Sequence, residues 1–189
     1  MNRIYFVRHG ATAKNGSGIF KPDEHLGINE LGCVQSDDCG KKLRYTRFNL
    51  LLTSPTIRTQ ETLHRIIALN EHYIKNGGNI VIEKGLTERD FSGIWGMRHS
   101  PIEDAEVDVK ALFSFEHSHK IKNVETQVEL EKRAHKLIDL LKQIYPRKDI
   151  LAVTHGSFMV MVKSYIEQRR PEWHEKAPRN GEILTVDNF

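Results

Sequence analysis

Residues 3–10 read Arg-Ile-Tyr-Phe-Val-Arg-His-Gly, and residues 149–156 read Asp-Ile-Leu-Ala-Val-Thr-His-Gly. Each is a short apolar, β-prone run that stops at His-Gly, so each predicts a strand with a histidine at its end. Ligands of open α/β sheets sit beyond the carboxyl ends of the strands. If the two strands are parallel neighbours, His9 and His155 face one crevice. Glycine after each histidine removes a side chain and is expected to let a ligand come close to the backbone.

Outward from these two runs, strands alternate with helices. Ala11 to Asn29 carries Gly16, Gly18, Gly27 and Pro22 and reads as a long loop, a kind that is often functional. Asn29 caps a helix to about Tyr45, and Asn49 to Thr53 reads as a strand. Pro55 suits the first turn of a helix that runs to about Asn70, with Ile57, Leu63, Ile66 and Ile67 near one face. Asn79 to Glu83 is a strand, Leu86 to His99 is irregular, and Pro101 to Phe115 holds a short helix. Glu125 to Tyr145 has the clearest helical period and stops at Pro146. A strand (Asp149 to Thr154), a helix (Gly156 to Arg169) and a last strand (Ile183 to Val186) follow. The alternation predicts an α/β sheet with helices on both faces.

Composition narrows the function classes. At 189 residues the chain fits one domain over 1–189, with a core that needs no disulfide or metal. It has no run of about 20 apolar residues, so no membrane partner is expected. The opening MNRIYFVRHG lacks a small-residue cleavage site, which points to the cytoplasm. Cys33 and Cys39 are six apart, which suits neither a zinc ribbon nor a disulfide. The net charge is +3, with basic residues dispersed among acids. The short clusters Lys41-Lys42 with Arg44, and Arg169-Arg170, read as solvated surface, and no nucleic-acid partner is expected. His117 and His119 read as solvated loop residues, not metal ligands.

Two further segments bring chemistry to the same sheet edge. Ser54-Pro55 leads into a helix with Arg58 in its first turn, where the positive helix end favours anions. Leu86 to Arg89 places Glu88 after the strand around Val81. Arg8, Arg58, His9 and His155 then form a cationic set whose guanidinium forks match phosphoryl oxygens. A neutral imidazole can act as a nucleophile, and a carboxylate can supply and remove a proton. The spacing alone separates neither phosphate from another anion nor a nucleophile from a satisfied polar histidine.

These motifs, taken in order, resemble the histidine phosphatase superfamily, which includes the cofactor-dependent phosphoglycerate mutases and many small phosphatases. Arg8-His9-Gly10-Ala11-Thr12 is similar to its N-terminal motif, and Asn15 fits a common position in it. Leu26 through Gly32 to Gln35, Leu52 to Thr59, Leu86 to Gly93, and Val153-Thr154-His155-Gly156 resemble its later blocks. The resemblance implies a three-layer α/β/α fold with a mostly parallel central sheet. It implies a metal-independent phosphomonoesterase with no cofactor, in which His9 becomes phosphohistidine. Arg8, Arg58 and His155 would hold the phosphoryl oxygens, with Asn15 and Gly156 among the phosphate-binding residues, and Glu88 would serve as acid and then base.

Three departures bear on substrate identity. Ala11 stands where Glu is common, Val124-Glu125-Thr126 replaces Gly-Glu-Ser, and Ile94-Trp95-Gly96 replaces Trp-Glu-Gly. A small phosphorylated metabolite is the expected partner. The motifs do not separate sugar phosphates from nucleotides, phosphoamino acids or phosphoproteins. Two other readings stay open: a phosphate-recognising regulatory protein with little turnover, and a phosphoglycerate mutase-type phosphotransferase. Specificity is expected from Lys14 to His25, Trp95 to Phe115 and Lys120 to Asn123, with Lys14, Lys21, Lys120, Lys122, Arg179 and Asn180 as candidate contacts and Trp173 as helix-end packing. The last strand is a candidate sheet edge, which admits a homodimer.

Overall fold

The computed structural model describes residues 2–13, 20, 25–98, 107–172 and 174–188. Asn15, Lys14, Lys21 and Trp173, and the start of the helix expected at Pro101, lie outside the described residues. The sheet is built from β1 (Arg3–Arg8), β2 (Leu50–Thr53), β3 (Ile80–Ile82), β4 (Ile150–Thr154) and β5 (Ile183–Asp187). Their order is β3-β2-β4-β1-β5. β1, β4, β2 and β3 run parallel, and β5 adds antiparallel to β1 at one edge.

The helices are α1 (Glu30–Lys42), α2 (Ile57–Ala68), α3 (Glu71–Asn76), α4 (Val109–Leu112), α5 (Gln127–Ile144) and α6 (Gly156–Glu167). Strand alternation divides the core in two. Ile4 and Phe6 of β1 and Ile150 and Ala152 of β4 pack with Leu130 and Ile138 of α5 and Phe158 and Val162 of α6. Val7, Leu151 and Val153 point the other way, onto Cys39 of α1 and Leu63 and Ile66 of α2. Covered on both faces, β4 is buried along its whole length, which accounts for its unbroken apolar run. The result is the expected three-layer α/β/α fold with a mostly parallel sheet.

Register sets the site. β1 and β4 are adjacent and parallel, with Arg8 opposite Thr154. The chain therefore leaves both strands at one level, and His9 and His155 emerge side by side.

Several boundaries differ from the sequence reading, each for a local reason. Thr56 takes the N-cap position of α2, so Pro55 lies before the helix, and Ile57 is exposed instead of packed. Helix α2 stops at Ala68, and Asn70 opens the unanticipated α3. The buried Asn70 side chain accepts from Tyr73 N–H and donates to the carbonyls of Leu43 and Thr46. Helix α5 starts at Gln127 because Thr126 and Glu129 form a reciprocal capping box, which leaves Glu125 outside the helix.

Candidate active site

His9 follows β1 directly. Its N–H donates to Thr154 O at 2.9 Å. Its ring Nδ1 lies 2.7 Å from Gly10 O. A carbonyl only accepts, so Nδ1 carries the hydrogen and Nε2 keeps its lone pair. Burial, reinforced by the Arg58 and Arg8 charges, pulls its pKa down to about 3, so the ring is neutral at ordinary pH.

The loop that presents His9 is anchored on three sides. Gly10 N–H donates to Thr62 Oγ1 at 3.0 Å, Ala11 N–H to Gln35 Oε1 at 2.8 Å, and Asn180 Nδ2 to His9 O at 2.8 Å. A Cβ on Gly10 would lie 2.4 Å from Gly32 O, and one on Gly32 would lie 2.2 Å from Ala11 O. Gly10 thus lets the first turn of α1 approach the backbone. This corrects the expectation that it makes way for a ligand.

His155 precedes α6 and is fully buried. Arg58, second residue of α2, donates from Nη2 to His155 Nδ1 at 3.2 Å. Arginine has no acceptor, so Nδ1 is the unprotonated nitrogen and Nε2–H donates to Ser54 Oγ at 2.8 Å. Burial, the neighbouring His9 and the Arg58 and Arg8 charges hold its pKa well below the usual histidine range. The two rings meet nearly edge-on, with centroids 5.2 Å apart.

Arg8, at the end of β1, donates from Nη1 to Pro178 O at 2.6 Å. Its Nε is buried with no hydrogen-bond partner among the described residues. Leaving a buried donor unpaired costs about 1–3 kcal/mol, a cost that an anion beside it would offset. A Cβ on Gly156 would sit 3.1 Å from Arg8 Cζ and 3.3 Å from Ala177 Cβ. The space beside Gly156 is therefore taken by the Arg8 guanidinium.

Glu88 faces the start of α6. Its Oε1 accepts from Arg89 N–H at 2.9 Å and Ser157 N–H at 3.1 Å, and Oε2 has a longer contact of 3.4 Å with Ser157 N. Glu88 is also among the charges that act on Arg8. The structure thus brings His9, His155, Arg8, Arg58 and Glu88 to one sheet edge. Sequence reasoning gave no role to Ser54, Thr62 or Arg133. Ser54 stands inside a quoted motif and offered a signal, whereas Thr62 and Arg133 are ordinary helix residues.

Among the described residues, no group of three or more His, Cys, Asp or Glu is arranged to hold a metal ion, and no helix is long and apolar enough to cross a membrane. Cys33 and Cys39 are unpaired, and Cys39 donates its thiol to Gly181 O.

The family described as histidine phosphatase superfamily (branch 1) matches residues 4–187. The chain belongs to the histidine phosphatase superfamily. Among the relatives of this chain, "Putative phosphoserine phosphatase 2" of Hydrogenobacter thermophilus is 26% identical over 157 residues, which is 82% of this chain and 74% of that protein. A 2,3-bisphosphoglycerate-dependent phosphoglycerate mutase of Nitrobacter winogradskyi is 28% identical over 96 residues, 50% of this chain and 45% of that one. Among solved structures, Bacillus stearothermophilus YhfR superposes with a TM-score of 0.81 at 17% identity, covering 99% of this chain and 91% of its own. That last likeness is one of fold. Family and relatives together support a phosphatase.

Proposed function

We propose that the protein hydrolyses a small phosphate monoester, independently of a metal, through a phosphohistidine on His9. The observation that carries this reading is a neutral His9 whose Nδ1–H is spent on Gly10 O, leaving the Nε2 lone pair beside two guanidinium groups. In the first step the Nε2 lone pair forms a bond to phosphorus and the ester P–O bond breaks. The leaving oxygen keeps that electron pair and takes a proton from Glu88. Oε2, which lacks a short hydrogen bond, is the oxygen suited to carry that proton. Arg8 and Arg58 offset charge on the phosphoryl oxygens, and the neutral His155, fixed by Ser54, accepts from Arg58 and holds that guanidinium in place. In the second step Glu88 takes a proton from water, the water oxygen bonds to phosphorus, and the P–N bond returns its pair to Nε2.

A small monoester is supported by the relative named for phosphoserine. The relatives named as mutases favour a second reading, transfer between two hydroxyls; the chain spans less than half the length of the one compared above. Hydrolysis of p-nitrophenyl phosphate in EDTA, compared with His9→Ala, tests the proposal. Turnover that persists in EDTA and vanishes in the variant supports it. Normal turnover in the variant overturns the nucleophile. No turnover in the folded wild type, with transfer from a bisphosphate instead, would favour the mutase reading.

A further inference from the structure

Glu88 sits in a stretch with little regular structure. One short 3₁₀ turn, Lys84–Leu86, precedes it. Its backbone carbonyls therefore need partners from elsewhere. Thr154 Oγ1 donates to Leu86 O at 2.7 Å. Three more carbonyls are gathered by one side chain. Arg133 of α5 donates from Nη1 to Gly85 O at 2.8 Å and Thr87 O at 3.0 Å, and its Nη2 reaches Glu88 O at 3.5 Å.

The same guanidinium is gripped by a carboxylate. Arg133 Nε lies 2.8 Å from Glu125 Oε1, and Nη2 lies 2.7 Å from Glu125 Oε2. The side chains of Arg133 and Glu125 are only 24% and 16% exposed, so this bidentate pair is less screened than a surface pair. Glu125 also holds the far side of Glu88. Its backbone N–H donates to Asp90 O at 2.9 Å, its Oε2 accepts from Asp90 N–H at 3.3 Å, and its carbonyl accepts from Arg89 Nε at 2.6 Å.

We infer that the Arg133–Glu125 pair is a positioning device for Glu88, fixing the backbone on both sides of it so that its carboxyl stays on the α6 N-terminus. None of the Arg133 hydrogen bonds goes to His9, His155, Arg8 or Arg58. Its charge is also among those that act on His155, but that effect does not depend on the leaving group, whereas placement of Glu88 does; the inference rests on the reading of Glu88 as the acid above. All three guanidinium nitrogens are in use, a pattern that lysine cannot reproduce.

The test uses the full chain and kcat/KM, which reports only the steps through phosphoryl transfer to His9. Two substrates are compared: p-nitrophenyl phosphate, whose leaving group needs little protonation, and glycerol 2-phosphate, whose alkoxide needs a proton. Misplacing a reacting group by about 1 Å costs on the order of a hundredfold. Arg133→Met should lose about ten- to a hundredfold on the alkyl ester and under about threefold on the aryl ester. Arg133→Lys should lie between Arg133→Met and wild type. Adding Arg133→Met to Glu88→Gln should slow the alkyl ester no further than Glu88→Gln does alone.

An equal loss on both substrates, or an additive loss in the double variant, would show a merely structural role and overturn the inference. If Arg133→Met lacks a cooperative thermal transition, Arg133→Lys decides by the same comparison. A Glu88→Gln variant without leaving-group dependence would bring down the acid assignment itself, and is thereby told apart from failure of the positioning role.

Discussion

Replacing Gly10 with alanine would put a methyl group 2.4 Å from Gly32 O and 2.8 Å from Gly32 Cα. Both are backbone atoms, so no side chain can rotate out of the way. Gly10 is not among the residues with positive φ, so the cost is steric and not conformational. Ordinary carbon contacts begin near 3.5 Å, and the loop or helix must therefore move by about 1 Å. Overpacking of this kind costs about 1–3 kcal/mol of stability. The functional cost is expected to be larger, because His9 Nδ1 donates to the Gly10 carbonyl. A shift of Gly10 carries the imidazole with it, and a misplacement of about 1 Å is worth on the order of a hundredfold in rate. Urea denaturation and kcat/KM on p-nitrophenyl phosphate read the two effects separately. Gly78→Ala serves as the control, since its Cβ would meet nothing nearer than side-chain carbons at 3.4 Å. Wild-type kcat/KM in a folded Gly10→Ala protein would refute the argument that this backbone contact sets the position of His9.

Ser54→Ala should leave His155 Nε2–H buried without an acceptor and lower stability by about 1–3 kcal/mol. Inorganic phosphate should then inhibit more weakly, because His155 loses the bond that fixes its tautomer; unchanged stability and inhibition would contradict this. The buried His9 also makes stability depend on pH. Its pKa falls to about 3 in the folded protein, against about 6.5 for a free histidine. Between those values only the unfolded chain binds the proton. Stability at this residue is thus fully present above about pH 6.5 and declines as pH falls through the window. From about pH 7 to about pH 5 the loss is about 2 kcal/mol, set mainly by the unfolded value. Urea melts of His9→Gln should show a slope against pH that is flatter by that amount, and identical slopes would contradict the buried neutral imidazole. His155 is shifted in the same direction, so the variant should keep part of the acid sensitivity.

The two histidines were legible because each ends an apolar run, and the parallel β1–β4 pairing follows from the fold class that those runs imply. Arg58 was legible as a first-turn residue of α2, since a helix N-terminus is a place where anions gather. What the sequence hides is contact at long range. Gly10 looked like an opening for ligand because nothing local announces that Gly32 packs against it. Arg133 lies 45 residues from Glu88 on a helix whose period predicts only which face is buried. Glu125 was read as the first residue of the periodic segment that ends at Tyr145, yet the Thr126–Glu129 capping box starts the helix after it and leaves its carboxylate for Arg133. Pro55 is a parallel case, displaced from the helix by Thr56 in the N-cap position.

In the proposed reaction His9 itself carries the phosphoryl group. The direct test is to mix the protein with excess p-nitrophenyl phosphate, quench in base to preserve phosphohistidine, and map the modified peptide by mass spectrometry. The expected result is one added phosphoryl group on the peptide containing His9, a greater yield in Glu88→Gln with this aryl ester because water attack is slowed, and none in His9→Ala. Turnover with no trapped adduct in either the wild type or Glu88→Gln, or an adduct on another residue, would contradict it.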